Sequence, residues 1–147
     1  MAKFIYRMQN ILNIKYKLEE QAKTAYSNAN KAYEIEKEKL KKLFDIKDSY
    51  EQELRELMAS TLNIQKIRQM ESAIDNITDK IEVQKKEVIK AYKRLNAARQ
   101  QLKENVIERK THEKLRDNAF EEFVKEVNAA QMKEIDEIVS YRFNHSK

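Results

Sequence analysis

The side chains that most often carry chemistry are thinly supplied in this chain. Its 147 residues include no cysteine and two histidines, His112 and His145. Disulfides and thiolate metal sites are thereby excluded, and two imidazoles so far apart make no metal centre. Carboxylates are plentiful and sometimes adjacent, as in Glu19-Glu20 and Glu121-Glu122. Neighbours on a helix point about 100° apart, so such pairs face water instead of converging as an acid/base couple. Glycine is absent, which removes every phosphate-cradling loop, and neither HExxH nor an ordered Ser/His/Asp set occurs. The residues read as those of a non-enzyme with no cofactor and no small-molecule substrate. Function is expected in the surfaces presented to partners.

Those surfaces must be positioned by helices. Proline is absent along with glycine, and 37% of residues are charged. Both strong helix breakers are thus missing, and the mixture is that of a long solvated helix or coiled coil. The opening residues have charges scattered among apolar side chains and no small-residue cleavage site, unlike a secretory signal. No apolar run approaches the ~20 residues of a membrane span, so a cytoplasmic, soluble chain is expected. The net charge of +5 is unevenly spread. Residues 1–18 carry +4 with no acid, 19–74 carry −1, 75–117 carry +4 and 118–147 carry −2.

The second half holds the clearer heptads. Alternating steps of three and four from Ile67 reach Met70, Ile74, Ile77, Ile81, Gln84, Val88, Ala91, Leu95, Ala98 and Leu102. This is a sustained a/d seam, continuing in more polar form through Asn105, Arg109, His112 and Arg116 to Ala119 and Phe123. There His112 reads as a tolerated polar layer. The first half gives Ile11, Lys15, Leu18 and Ala22, then by the same steps Leu43, Ile46, Tyr50, Glu53 and Leu57. Between the halves lies Met58-Ala-Ser-Thr-Leu62 and then Asn63, whose Ser, Thr and Asn compete with helix by bonding the backbone locally.

The expected fold is all-α, a long antiparallel two-helix coiled-coil hairpin forming one domain over 1–147. Its helices are placed at 3–57 and 63–142 with a turn at 58–62. Folding about Ser60 sets residue i opposite 120 − i, which pairs Leu43 with Ile77, Ile46 with Ile74 and Glu36 with Gln84. A single uninterrupted helix would need a second chain to bury its seam. The hairpin leaves the second helix overhanging: residues beyond about 117, including Phe120, Phe123 and Val127, would have no partner in the first. At the open end Ile11 meets Arg109 and Phe4 meets Arg116, weak layers expected to splay. Tyr26, Tyr33 and Tyr92 fall beside the seam and shield its edges.

Two candidate surfaces follow. The open end gathers Lys3, Arg7, Lys15, Lys17, Arg109, Lys110 and Arg116 with the overhang's Phe120 and Phe123. Near the turn, Leu40 and Phe44, read as lying off the seam, form an apolar band with Leu43, Ile46, Tyr50, Ile74 and Ile77. Nucleic acid is not expected as a primary partner, because bases alternate with acids and no aromatic platform or DNA-binding motif is present.

Several segments in order resemble one family. The opening F-x-Y-R-x-Q-x-I-L-x-I-K-x-x-x-E-E (Phe4 to Glu20) resembles the start of the flagellar export protein FliJ family. So do Ile81, Gln84 and Val88 followed by Arg94, Leu95, Ala98 and Arg99, the segment E-R-K-x-x-E-K-L-R (Glu108 to Arg116), and the end at Asp136 to Phe143. The resemblance spans essentially the whole chain, though the tip here is short and lacks glycine. It implies a stalk or adaptor of the flagellar type III export apparatus, peripheral to the inner face of the cell membrane at the flagellar base. Implied partners are the hexameric export ATPase, the export gate and export chaperones. The open-end set would then face the ATPase, and the band near the turn the gate. The alternative is a general coiled-coil chaperone or scaffold holding helical clients on the stripe from Phe120 to Val139.

Overall fold

The computed structural model describes residues 2–60 and 63–145. It contains two helices, α1 (Gln9–Ser60, 52 residues) and α2 (Ile64–His145, 82 residues), packed as an all-α hairpin with no strand among the described residues. Neither helix is long and apolar enough to cross a membrane. The boundaries differ from those read in the sequence. α1 starts six residues later than expected, and Met58 to Ser60 of the expected turn are helical. Thr61 and Leu62 lie outside the described residues.

Local hydrogen bonds explain the ends. Asn63 is the N-cap of α2: its Oδ1 accepts the Lys66 N–H at 3.2 Å, and its carbonyl accepts the Ile67 N–H at 3.1 Å. Ser60 Oγ donates to the Glu56 carbonyl at 2.9 Å, satisfying an acceptor in the last turn of α1. At the start of α1 the Met8 carbonyl accepts from Leu12 N–H at 3.1 Å. Residues 2–6 are irregular, and Arg7 and Met8 form a turn.

The chain's packing falls into two compact units, Ala22–Leu102 and Met1–Gln21 with Lys103–Lys147. In the first, Gln84 meets Glu36, the Tyr33 and Tyr92 rings are 5.6 Å apart, and Arg99 lies 6.0 Å over Tyr26. Partner numbers rise on α2 as they fall on α1, so the helices are antiparallel. Ile77, Ile81, Ala91 and Leu95 are buried on α2, and its heptad frame is the expected one.

The frame of α1 is not. Its covered positions run Ala22, Tyr26, Ala29, Tyr33, Glu36, Leu40, Leu43, Lys47, Tyr50, Leu54 and Leu57. Every second position is therefore one residue later than the sequence suggested. Leu40 moves onto the seam, while Ile46 is 39% exposed. Counting apolar residues could not separate the alternatives: from Ile11 or Leu12 to Leu57, each frame carries ten in fourteen positions. The observed frame spends them on Leu and Tyr where the other offers Ala25 and Ala32. Buried area is larger, and the hydrophobic gain scales with area.

In the second unit the same shift buries Leu12 (1% exposed) and Glu19, leaving Ile11 and Leu18 at 38%. Its N-terminal end also departs from expectation. The Phe4 ring lies 5.2 Å from Phe120 and 5.4 Å from Phe123, edge-on to the former, and lines a groove with Arg116 and Phe120. A helix advances 1.5 Å per residue, whereas non-helical chain covers up to ~3.3 Å. Beyond the turn closed by the Gln9 N–H to Tyr6 carbonyl bond, the two steps from Tyr6 to Phe4 add about 4 Å of that difference, two to three helical residues of α2. Cover thus extends to Phe123 and Val127, and the uncovered tail begins at Asn128, not near 117. From there to His145 every described residue is exposed.

The two frames make opposite predictions for neighbouring residues. Leu12→Ala is expected to cost about 2–5 kcal/mol and Ile11→Ala about 1 kcal/mol or less. Urea denaturation of both variants checks this; equal losses would reject the observed rotation of α1.

Candidate functional site

The open-end unit is held by a polar clamp that the sequence frame missed. Arg109, on the α2 seam, donates from Nε to Glu19 Oε2 at 2.6 Å and from a terminal nitrogen to Glu19 Oε1 at 3.1 Å. Its other terminal nitrogen donates to Glu113 Oε2, one turn along α2, at 3.1 Å. The Tyr16 hydroxyl donates to the second oxygen of Glu113 at 2.5 Å. Beside them Lys15 Nζ pairs with Glu108 Oε2 at 3.3 Å, and His112 Nε2 stands 3.8 Å from that oxygen. Glu19 is 5% exposed. A carboxylate so buried is costly unless charge and hydrogen bonds answer it, and the two-point guanidinium contact does both.

The protonation equilibria follow from the same bonds. Hydrogen bonding to Glu19 holds the Arg109 guanidinium further above its already high range, partial burial opposing and Glu113 adding to it. The Tyr16 hydroxyl, helped by Arg109, lowers the Glu113 carboxyl below the ordinary range against partial burial and the Glu19 charge. That same bond raises the Tyr16 phenol, while the charges of Arg109 and Arg116 work the other way.

The nine open-end residues singled out in the sequence all fall in this unit, in different roles. Lys15 and Arg109 are committed to ion pairs within the chain. Lys17, Lys110 and Arg116 are exposed. Lys3 and Arg7 line a groove of about 440 Å³ with Phe4, Phe123, Glu122 and Glu126. Phe120 is 48% exposed, and Phe123 is half-buried beneath Phe4. The expected splaying layers are replaced by the clamp and this aromatic cluster. Tyr16, Glu19 and Glu113 were not anticipated. The available signal was Glu113 four residues after Arg109, a spacing that brings helical side chains together.

The band assigned near the turn falls in the other unit and largely dissolves into its seam. Ile77 is buried, and Leu40, Leu43, Tyr50 and Ile74 are half-buried. Phe44 and Ile46 remain exposed at 39% each, the former with the Lys85 ammonium 5.8 Å from its ring. Val83, 62% exposed and overlooked in the sequence, lines an open groove of about 410 Å³ with Leu43, Asp79, Lys80 and Gln84. One seam layer here is polar: Gln84 Nε2 donates to the Glu36 carbonyl at 3.0 Å and to its carboxylate. That amide lowers the Glu36 carboxyl, desolvation opposing and Lys39 assisting. Among the described residues no group of three His, Cys, Asp or Glu side chains is placed to hold a metal.

The structure is an all-α hairpin with bonded polar layers and exposed apolar side chains. Residues 4–147 match the family described as Flagellar FliJ protein, and the chain belongs to that family. It is 30% identical over 138 residues to the Flagellar FliJ protein of Bacillus subtilis (strain 168), covering 94% of each. A structure described as a YscO homologue from Chlamydia trachomatis superposes with a TM-score of 0.71 at 22% identity, over 99% of both chains; that likeness concerns the fold. By that family and that relative the chain is a flagellar protein of the FliJ type.

Two measurements test the clamp. Arg109→Met strands the Glu19 carboxylate and is expected to lower the melting temperature, whereas Glu19→Leu with Arg109→Met recovers it; a double variant no better than the single one contradicts the pairing. Glu36 and Glu113, depressed in the folded chain, add stability above the ordinary carboxylate range and lose it as pH falls through their folded values. The melting temperature is therefore expected to hold above about pH 5 and fall below about pH 4. Glu113→Gln should lessen that fall.

Proposed function

We propose that the chain is a stalk and adaptor of the flagellar export apparatus, binding the hexameric export ATPase through its open-end unit. Membership of the FliJ family supports the setting. The observation that carries the assignment is the set of exposed basic residues Lys17, Lys110 and Arg116, together with the groove lined by Lys3 and Arg7. Cations left outward after the internal pairs are made can steer and hold an acidic partner surface. Lys15, Arg109, Phe120 and Phe123 support that face, the first two by holding the helices together and the rings by seating Phe4.

Contact with the export gate is assigned to the other unit, at Phe44 and Ile46 above Leu40, Leu43, Tyr50, Ile74 and Ile77. Exposure of these two large apolar side chains beside the seam residues favours this. Export chaperones are assigned to the uncovered tail, where Met132, Ile135, Ile138 and Val139 are about half exposed or more. A lone amphipathic helix gains most of its stability from packing, so such a stripe suits a helical client. The same stripe supports the second reading, a general chaperone or scaffold. In either case the protein works at the cytoplasmic face of the membrane at the flagellar base.

Lys17→Glu, Lys110→Glu and Arg116→Glu combined are expected to weaken ATPase association about tenfold or more while leaving helicity by circular dichroism unchanged. Unchanged association with the ring would remove this assignment. Truncation after Asn128 should abolish client capture yet spare the ATPase, and loss of both would join the two surfaces into one.

A further inference from the structure

The rotation of α1 leaves a second aliphatic row on the outside of the open-end unit. Ile11, Ile14 and Leu18 are 38%, 53% and 38% exposed. At about 100° per residue they fall within roughly 60° of one another, and about 100° round the helix from Leu12, Lys15 and Glu19. The row is therefore separate from the seam with α2. Its spacing is i, i+3, i+7, the pattern by which one helix receives another. Ile11 and Leu18 belong to the alternative heptad frame of α1, so the row has the form of a seam without a helix on it.

Charge selects the occupant. From Ala2 to Leu18 no side chain is acidic. Lys17 is exposed beside Ile14, and Arg7 is exposed in the turn that leads into α1. Lys15, on the inner edge, is already paired with Glu108, and Asn10 and Gln21, which share the outer edge with Lys17, are both uncharged. The nearby acids Glu122 and Glu126 line the groove that Lys3 and Arg7 also line, away from Lys17. An aliphatic row with cations and no acid on its open flank rejects a basic helix and favours one with acidic flanks.

We propose that Ile11, Ile14 and Leu18, with Arg7 and Lys17, form a docking strip for an amphipathic helix bearing acidic residues beside its apolar stripe. This rests on the adaptor reading above and gives the chemistry of what meets part of the open-end face. The strip is narrower than a membrane-binding face needs. Interfacial helices bury a broad apolar arc, commonly anchored by aromatic side chains, whereas Phe4 and Tyr6 are half-buried and the Tyr16 hydroxyl is engaged by Glu113.

The probe is a labelled synthetic helix with leucines at the spacing of the row and glutamates on both flanks, titrated against the full chain by fluorescence anisotropy. A sister peptide carries lysine for glutamate, and phosphatidylserine vesicles form the third arm. The acidic helix is expected to bind, weaken with added salt, and lose about tenfold or more in affinity with Ile14→Asp or Lys17→Glu; the lysine peptide should not bind. Failure of the acidic helix to bind the wild-type chain overturns the proposal, as does equal binding of the two peptides. Binding that survives Ile14→Asp overturns it too, as does capture by vesicles alone. Ile14→Gln repeats the test should the aspartate variant lose helicity. ATPase association of the Lys17/Lys110/Arg116 variant is measured alongside. Its persistence defeats the adaptor reading whatever the peptide does, and absence of peptide binding defeats the strip whatever the ring does.

Discussion

Glu19 is a carboxylate shut between two helices, and Arg109 is what makes that tolerable. A pair of helices has room for one interior stripe on each, so a charge on that stripe cannot retreat into a wider core. Either α1 turns until the carboxylate reaches water, or α2 supplies a cation at the right height. The second solution fixes the rotation of α1 and the height of α2 together, because a guanidinium bonds both carboxylate oxygens only in one relative position. Tyr16 and Glu113 then fix the far side of the same guanidinium. Energetically such a pair can fall close to neutral against an apolar replacement. Its value lies in excluding the competing rotation, which carries as many apolar residues.

The other unit meets a similar demand with less charge. Glu36 on its seam is answered by the amide of Gln84, which also reaches the Glu36 backbone carbonyl. An amide can offer donors to both oxygens without bringing a full charge into the seam. This layer is flanked by Leu40 on α1 and by Ile81 and Val88 on α2, so the apolar seam carries the stability and the polar contact marks the height. At the open end, where Lys15, Arg109 and His112 thin the apolar seam, bonded charge has the larger share.

These differences explain what was legible in the sequence. The α2 frame was readable because Ile, Leu, Val and Met recur on it without competitors of similar size. The α1 frame was not, since alanines fill one alternative and tyrosines and lysine the other; only the size of what is buried, and the partner waiting for Glu19, decide between them. Pairing Glu36 with Gln84 survived because position 36 is common to both frames. The start of α1 was misjudged for a different reason: residues 3–8 contain no helix breaker, so propensity extended the helix through them. What ends it is tertiary. Leaving the helix lets Phe4 reach the two phenylalanines on α2, and packing the three rings against one another outweighs another turn of exposed helix.

That packing also changes how the charge of the open end is to be understood. In the sequence, residues 1–18 and the stretch about Arg109 form two basic blocks, and their sum suggests one strongly positive surface. Folding divides them by role. Lys15 and Arg109 face inward to Glu108, Glu19 and Glu113, and their charge is largely cancelled at short range. Lys3 and Arg7 share a groove with Glu122 and Glu126. The cations left to define the outer field include Lys17, Lys103, Lys110, Lys114 and Arg116, each with an apolar or neutral neighbour within a turn. Recognition at such a surface depends on where apolar contacts lie relative to a few cations, because isolated surface charges contribute little by themselves in salt. A basic block counted along the chain thus becomes, in the fold, a discontinuous pattern that a partner must match by shape as well as by sign.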